Sequence, residues 1–465
     1  MGLEPPTLTR RRALGLALPL IAANVASPFV GLVATAVIGR TESAVALAAV
    51  ALGAVIFTSL YWSVGFLRMG TTGLTAQAHG ADDRPEVVAH LARSLLVGAT
   101  MGITLIVLQR PVRDVAFALF STNPEVEALG RAYFDARIWG APAALMGFAV
   151  YGWLIGLGRT RESLVPQLAL NGANALLDVV FVYGFGWGVP GVALAAALAQ
   201  WLHLGVGGWI LVRVLRDIDA PWPTLGAVFD VRRLGHLLRV NRDILIRTLA
   251  LLGGFYWFNE ASLREGVTVL AGNAILLQFI TVTACFLDAF AFLTESVSGH
   301  AVGAGSVAAL RHGLRRTTEL AAGFAFAWSA LIYFGGATVI GVLTTDPTAR
   351  AAAISYLPYC ALAPLVGMPS WQLDGLMIGA TRGRLMRNAM VAALAIYVGL
   401  DAILRPAFGG DGLWAAFLCY YLARAATLAV GYPALERDLR GRTPSPPAMA
   451  AQGSADSSGD EEVAL

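Results

Sequence analysis

An amide and a carboxylate, Asn174 and Asp178, stand four residues apart in the apolar run Gln167–Gly191, QLALNGANALLDVVFVYGFGWGVPG. On a helix that spacing stacks them on one face. A carboxylate at the centre of a hydrocarbon layer costs about 3 kcal/mol or more, so it is expected to face a protein interior or a wet cavity. There Asn174 would hydrogen-bond it, and the acid would take up a proton or a small cation. Three further acids lie inside apolar runs: Asp288 in FLDAF, Asp374 in LDGLMIGA, and Glu260 on the outer part of the seventh run. Asp401 has Arg405 one helical turn on, and a local ion pair is the reading there. Arg68, Glu295, Arg247 and the Asn241-Arg242-Asp243 cluster map to the helix ends on one side. They read either as ordinary helix-end charge or as a gate, with Arg242 or Arg247 opposite Glu295.

The chain that must position these groups is built for lipid. Of its 465 residues 57% are hydrophobic and 14% charged, at a mean hydropathy of +0.66; a soluble chain carries about 25% charged residues. About twenty apolar residues cross a bilayer, and twelve such runs follow one another. The sequence predicts an all-α polytopic membrane protein with a short N-terminus (1–12), six spans in 13–212, a linker at 213–239, six spans in 240–436, and a disordered tail from 437. Between runs, arginines such as Arg84, Arg159, Arg216, Arg233, Arg315 and Arg384 fall on alternate loops, which places both termini in the cytoplasm of a cell (plasma) membrane. The apolar stretch after Arg10–Arg12 is too long for a cleaved leader.

Several classes are excluded by composition. All 33 basic residues are arginine, so there is no Walker A lysine and no Schiff-base lysine. Neither HExxH nor GxSxG occurs. Cys285, Cys360 and Cys419 all lie in apolar runs and read as small core residues. The net charge of +3 comes from loop arginines and implies no nucleic-acid partner.

The two halves repeat at a spacing of 223 residues: Pro124 with Pro347, Tyr133 with Tyr356, Gly152 with Gly375, Gly156 with Gly379, and Asp178 with Asp401. Six spans is an even number, so both halves enter the membrane in the same sense. Parallel repeats related by an axis near the membrane normal, with a cavity between them, are the predicted arrangement.

Five stretches carry a resemblance: GFLRMGTTGLTAQAHG (65–80), VNRDILIR (240–247), AGNAILLQF (271–279), FLDAFAFLTESVSGHAVGAG (286–305) and LDGLMIGATRGRLMRNAM (373–390). The chain resembles the multidrug and toxic compound extrusion (MATE) family, in its DNA-damage-inducible protein F (DinF)-like branch. The resemblance runs from about residue 10 to 435 and implies a V-shaped transporter of two six-helix lobes. It implies export of cationic or amphipathic organic compounds in exchange for H⁺ or Na⁺, with no other cofactor, no enzyme activity and a monomer in the bilayer. The family's first-span pattern VDTAVIG is VATAVIG here, with Ala34 in the place of a carboxylate implicated in ion coupling. Coupling would then rest on Asp178, Asp288 or Asp374, with Glu260 a possible substitute. A flippase of lipid-linked precursors would need a cationic cavity, and the mid-span residues are mainly acidic. An intramembrane hydrolase would need a nucleophile beside His203 or His300, and no such constellation is present.

Overall fold

The computed structural model describes residues 8–41, 43–118, 123–220 and 222–441, nearly all helical and with no strand among them. The N-terminal half holds α1 (Arg10–Thr41), α2 (Ala44–Val64), α3 (Phe66–Gly80), α4 (Arg84–Val107), α5 (Gln109–Ala118), α6 (Pro124–Arg137), α7 (Ala141–Gly156), α8 (Thr160–Val179) and α9 (Gly188–Ile218). A short α10 (Leu225–Val228) leads to the C-terminal half: α11 (Val231–Glu265), α12 (Val267–Gly303), α13 (Val307–Leu343), α14 (Pro347–Gly379), α15 (Gly383–Ala429) and α16 (Tyr432–Arg440).

These elements make twelve spans. α2 continues into α3 and α6 into α7, each pair one rod, and a π-helical turn at Val180–Gly184 extends α8. α15 is two rods, because Gly409 (φ 57°, ψ −133°) reverses the chain. Thr427 then donates back to the Ala389 carbonyl at 3.3 Å and Tyr420 stacks on Tyr397 at 5.2 Å, so 383–408 and 410–429 lie antiparallel. α1 and α11 complete the set. α11 tolerates its charges because Asp243 and Arg247 find partners on neighbouring helices.

The repeat is visible in local structure. Asp83 and Ser306, 223 residues apart, each cap a helix with the side chain, and so do Asn123 and Asp346, each just ahead of a proline. Left-handed residues recur at the same spacing: Asp82 with Gly305, Gly158 with Thr381, and Gly186 with Gly409. Gly152 packs on the Arg68 carbonyl as Gly375 packs on that of Ala291, and Gly156 on Thr72 as Gly379 on Glu295. Each half thus docks its fourth rod on its second through the same pair of glycines.

The halves meet where α3 crosses α12. A Cβ on Gly80 would fall 2.1 Å from the carbonyl oxygen of His300, and one on Gly303 would fall 2.0 Å from that of Gln77. Gln77 donates to the Gly379 carbonyl at 2.8 Å, and the His300 ring meets the Gly156 carbonyl at 2.7 Å. Gln77 and His300 are themselves 223 residues apart, as are Gly156 and Gly379. The crossing therefore carries a local two-fold axis along the rods, as parallel repeats require. α1 adds to the seam, with Asn24 donating to the Cys285 carbonyl at 3.0 Å and Arg10 pairing with Glu319. Apart from the Asn24 bond, which is at mid-length of α12, these contacts lie toward the end where α3, α12 and α14 terminate.

Because the obstacle at Gly303 is backbone, Gly303→Val cannot be absorbed by a rotamer change. Overpacking costs about 1–3 kcal/mol, so disulfide formation between Gln77→Cys and Thr381→Cys, in a background lacking the three native cysteines, should slow roughly tenfold. An unchanged rate would mean that this end opens without passing through the glycine crossing.

Two boundaries differ from the sequence reading. α9 reaches Ile218 and α11 begins at Val231, so much of the 213–239 stretch is helical. α16 continues helix to Arg440, into the tail expected to be disordered. Its Leu435 and Leu439 are buried and Glu436 holds Arg311 through both carboxylate oxygens, which anchors the turn. The rest of that expectation, from 442 onward, lies outside the described residues, as does that for residues 1–7.

Candidate functional site: one acid in the first lobe, a charge network in the second

Asp178 sits on α8 with its side chain fully buried, and neither carboxylate oxygen has a hydrogen-bond partner among the described residues. Its repeat mate Asp401 is equally buried but accepts from Trp257 Nε1 at 3.1 Å and Arg405 Nε at 3.2 Å, the local pair expected from sequence. Equivalent positions thus differ in one respect: one acid is neutralised by its own helix, the other is not. Four residues after Asp178 stands Val182 where the second half has Arg405. The cation whose field reaches Asp178 is Arg137 on α6, and it is already engaged. Its guanidinium bonds the Tyr133 hydroxyl and lies 4.8 Å from the centroid of the Phe57 ring. Leaving an ionised carboxylate buried and unpaired is costly, and no described residue donates a hydrogen bond to Asp178 to offset that cost. The expected bond from Asn174 is absent. Asn174 lies on the same helix but is partly exposed, and the i, i+4 spacing alone does not carry its short amide to Asp178.

The second lobe concentrates charge. Asp374 on α14 accepts from Arg247 of α11 and, at 2.8 Å, from Arg424 of the last rod, both through Oδ2. Glu295 on α12 is gripped by Arg68 of α3, Nη1 to Oε2 at 2.9 Å and Nη2 to Oε1 at 3.2 Å. Arg68 also lies over the Phe292 ring at 3.9 Å, a contact that favours a desolvated guanidinium. Asp288, about two turns deeper on α12, accepts from Trp371 Nε1 at 2.9 Å. Three arginines and three acids therefore share one buried region. None of it repeats: the first-half counterparts of Asp288, Glu295, Asp374, Arg247 and Arg424 are Gly65, Thr72, Tyr151, Asn24 and Trp201.

Several expectations need correcting. Arg68 and Glu295 are not helix-end charges; they are buried in the seam and join the two halves. Arg247 faces Asp374 rather than Glu295, because Arg68 already occupies both oxygens of Glu295. Arg242 is more than half exposed and turns to its neighbour Asp243, which also binds Arg387 at 2.8 Å. Glu260 pairs with Arg264 at 3.3 Å on the α11 surface, in the other half from Ala34, and does not stand in for the missing acid. Arg424 was not singled out from sequence, although a lone arginine inside FLCYYLARAATLAV was the available signal.

The sequence profile of the MatE family matches residues 19–183 and 260–403, one stretch in each half. The chain belongs to the MatE family. It is 34% identical over 416 residues to the DNA damage-inducible protein F of Escherichia coli (strain K12), covering 89% of this chain and 90% of that protein. To the multidrug resistance protein PmpM of Pseudomonas aeruginosa it is 28% identical, over 90% and 91% of the two chains. A solved structure described as the outward-facing conformation of a multidrug resistance MATE family transporter superposes with a TM-score of 0.81 at 20% identity, covering 93% of this chain and 97% of that one. At that identity the likeness is one of fold: two parallel six-helix lobes. Within this MatE-family fold Ala34 packs against an apolar cluster of Val37, Ile38, Tyr133 and Val182, and so brings Asp178 no second carboxylate.

Proposed function

We propose that this chain is a secondary-active exporter of amphipathic organic compounds, exchanging them for H⁺ or Na⁺ across a cell membrane, with both termini in the cytoplasm. The observation that carries the reading is Asp178, an acid buried without a partner at a position where the repeat mate is neutralised. A coupling group must hold its ion in one state and release it in another, and a carboxylate pinned by arginine is poorly suited to that. The arginine-rich loops lie at the end where α3 meets α12, and the positive-inside rule supports reading that closed end as the cytoplasmic one. Family membership and the named functions of its relatives support export rather than an enzyme reaction. The flippase alternative needs surplus positive charge at the centre, whereas the three central arginines are matched by three acids.

Efflux from proteoliposomes with proton and sodium gradients imposed separately tests the reading. One gradient should drive concentrative efflux of an amphipathic dye such as rhodamine. If neither gradient drives movement of any of a panel of cationic, neutral and anionic amphiphiles, the proposal is wrong.

A further inference from the structure

Two buried carboxylates, Glu295 and Glu436, are held by arginine through both oxygens, by Arg68 and Arg311 respectively. That fork-to-fork geometry is the strong one. Asp374 is bound through a single oxygen, as Asp243 is by Arg242 and Arg387 and as Asp401 is by Arg405 and Trp257. What sets it apart is that both of its arginines are themselves buried. Arg247 and Arg424 each spend one Nη on the same oxygen, Oδ2, while Oδ1 has no partner. The Nε of Arg247 and the Nε of Arg424 are also buried and unpartnered, as is the hydroxyl of Tyr421 beside Arg424. Asp374, Arg247 and Arg424 are each at least 95% buried. Two guanidinium forks are therefore present, each with one Nη on Asp374 and its Nε without a partner among the described residues.

The surroundings are aromatic. Arg424 lies 5.5 to 5.7 Å from the ring centroids of Trp371, Tyr420 and Tyr421, and Trp371 stacks on Tyr421 at 5.2 Å. A cation entering here would meet two arginines flanking the one free oxygen of Asp374. A carboxylate would meet two guanidinium groups and a spare hydroxyl, with flat aromatic surface alongside.

We propose that Arg247 and Arg424 form the seat for the carboxylate of an aromatic or amphipathic substrate, and that Asp374 fills it as an internal substitute in the state described here. The proposal rests on the export reading and narrows its substrate class at the second lobe. Seating the incoming carboxylate adds one negative charge, and the charge balance of the region is kept when the displaced Asp374 takes up a proton from water. The charges of Arg247 and Asp374 reach Glu295, which places the seat next to the Arg68 seam. Parting the halves at that end carries Arg68 away and opens the seat to the side on which substrate is loaded.

The test is binding by titration calorimetry to the purified full-length protein in detergent, using 1-naphthylacetate and its charge-reversed analogue 1-naphthylmethyl-trimethylammonium. The carboxylate should bind and the ammonium compound should not displace it. Asp374→Asn removes the internal competitor and should tighten the carboxylate about tenfold or more, while Arg424→Gln should weaken it by about the same factor. Arg424→Lys keeps the charge without the fork and should also weaken it; with the wild-type charge preference, it decides the matter if Asp374→Asn does not fold. Preference for the ammonium compound, carboxylate binding lost in Asp374→Asn, or no carboxylate binding in either protein would overturn the proposal. Binding needs no gradient, so a chain that binds the carboxylate and exports nothing refutes the export reading alone. One that exports the ammonium compound and ignores the carboxylate refutes the seat alone.

Discussion

Glu295→Gln will loosen the closed end of the molecule more than any other single change outside the glycines. The substitution keeps the shape of the side chain but leaves Arg68 charged and buried, with a neutral amide in place of its ion-pair partner. Removing one partner of a buried pair costs about 3–5 kcal/mol. That cost falls on the state in which the pair is formed, since opening this end gives both groups back to water. The population closed here should drop on the order of a hundredfold or more relative to the open one. Spin labels on the two lobes, read by pulsed dipolar spectroscopy, would show the distance distribution between the ends of α3 and α14 shift outward. The swap Arg68→Glu with Glu295→Arg should recover part of the closed population. If Glu295→Gln leaves the distribution in place, the glycine crossing alone holds the seam and the ion pair is incidental.

The second large effect is expected at Asp178. Asp178→Asn should abolish the response of efflux to the coupling gradient while substrate still exchanges down its own gradient. The asparagine fills the same volume but can carry neither an ion nor a dissociable proton. Asp401→Asn is the control: it should cost about 1–3 kcal/mol of stability, by removing the charge that Arg405 meets on its own helix while Glu265 still pairs with Arg405 at 3.4 Å, and leave coupling intact. Ala34→Asp, on the helix packed against α8, should change the pH profile by giving Asp178 a like-charged neighbour. Should Asp178→Asn keep its full gradient response while Asp374→Asn loses it, coupling belongs to the second lobe and the first-lobe acid is a remnant.

Much of the fold was legible because its determinants are local or periodic. Twelve apolar runs, the matched prolines Pro124 and Pro347, and matched glycines are all readable along the chain. The Asp401–Arg405 pair was readable too, since both partners share one helix turn. Partners drawn from different helices were not. Arg68 and Glu295 are 227 residues apart and Arg247 and Asp374 are 127; nothing in local spacing says which arginine meets which acid, so Glu295 was matched with the wrong ones. Asn174 shows the opposite failure, a correct helix face with no bond, because burial of Asp178 is set by neighbouring helices and Asn174 sits nearer the surface.

The two-fold seam between α3 and α12 has the logic of an isologous dimer interface, in which residue i meets j and j meets i: Gly80 meets His300 and Gly303 meets Gln77. Two identical subunits would have to carry every seam charge twice. The mates of Arg68 and Glu295 are Ala291 and Thr72, so the latch exists on one flank of the axis and its mirror position is blank. A one-sided latch of that kind is available only to subunits fused into a single chain that can diverge. Its pull is off-centre, so the seam should part by peeling from the Ala291–Thr72 flank toward Arg68, rather than lifting evenly.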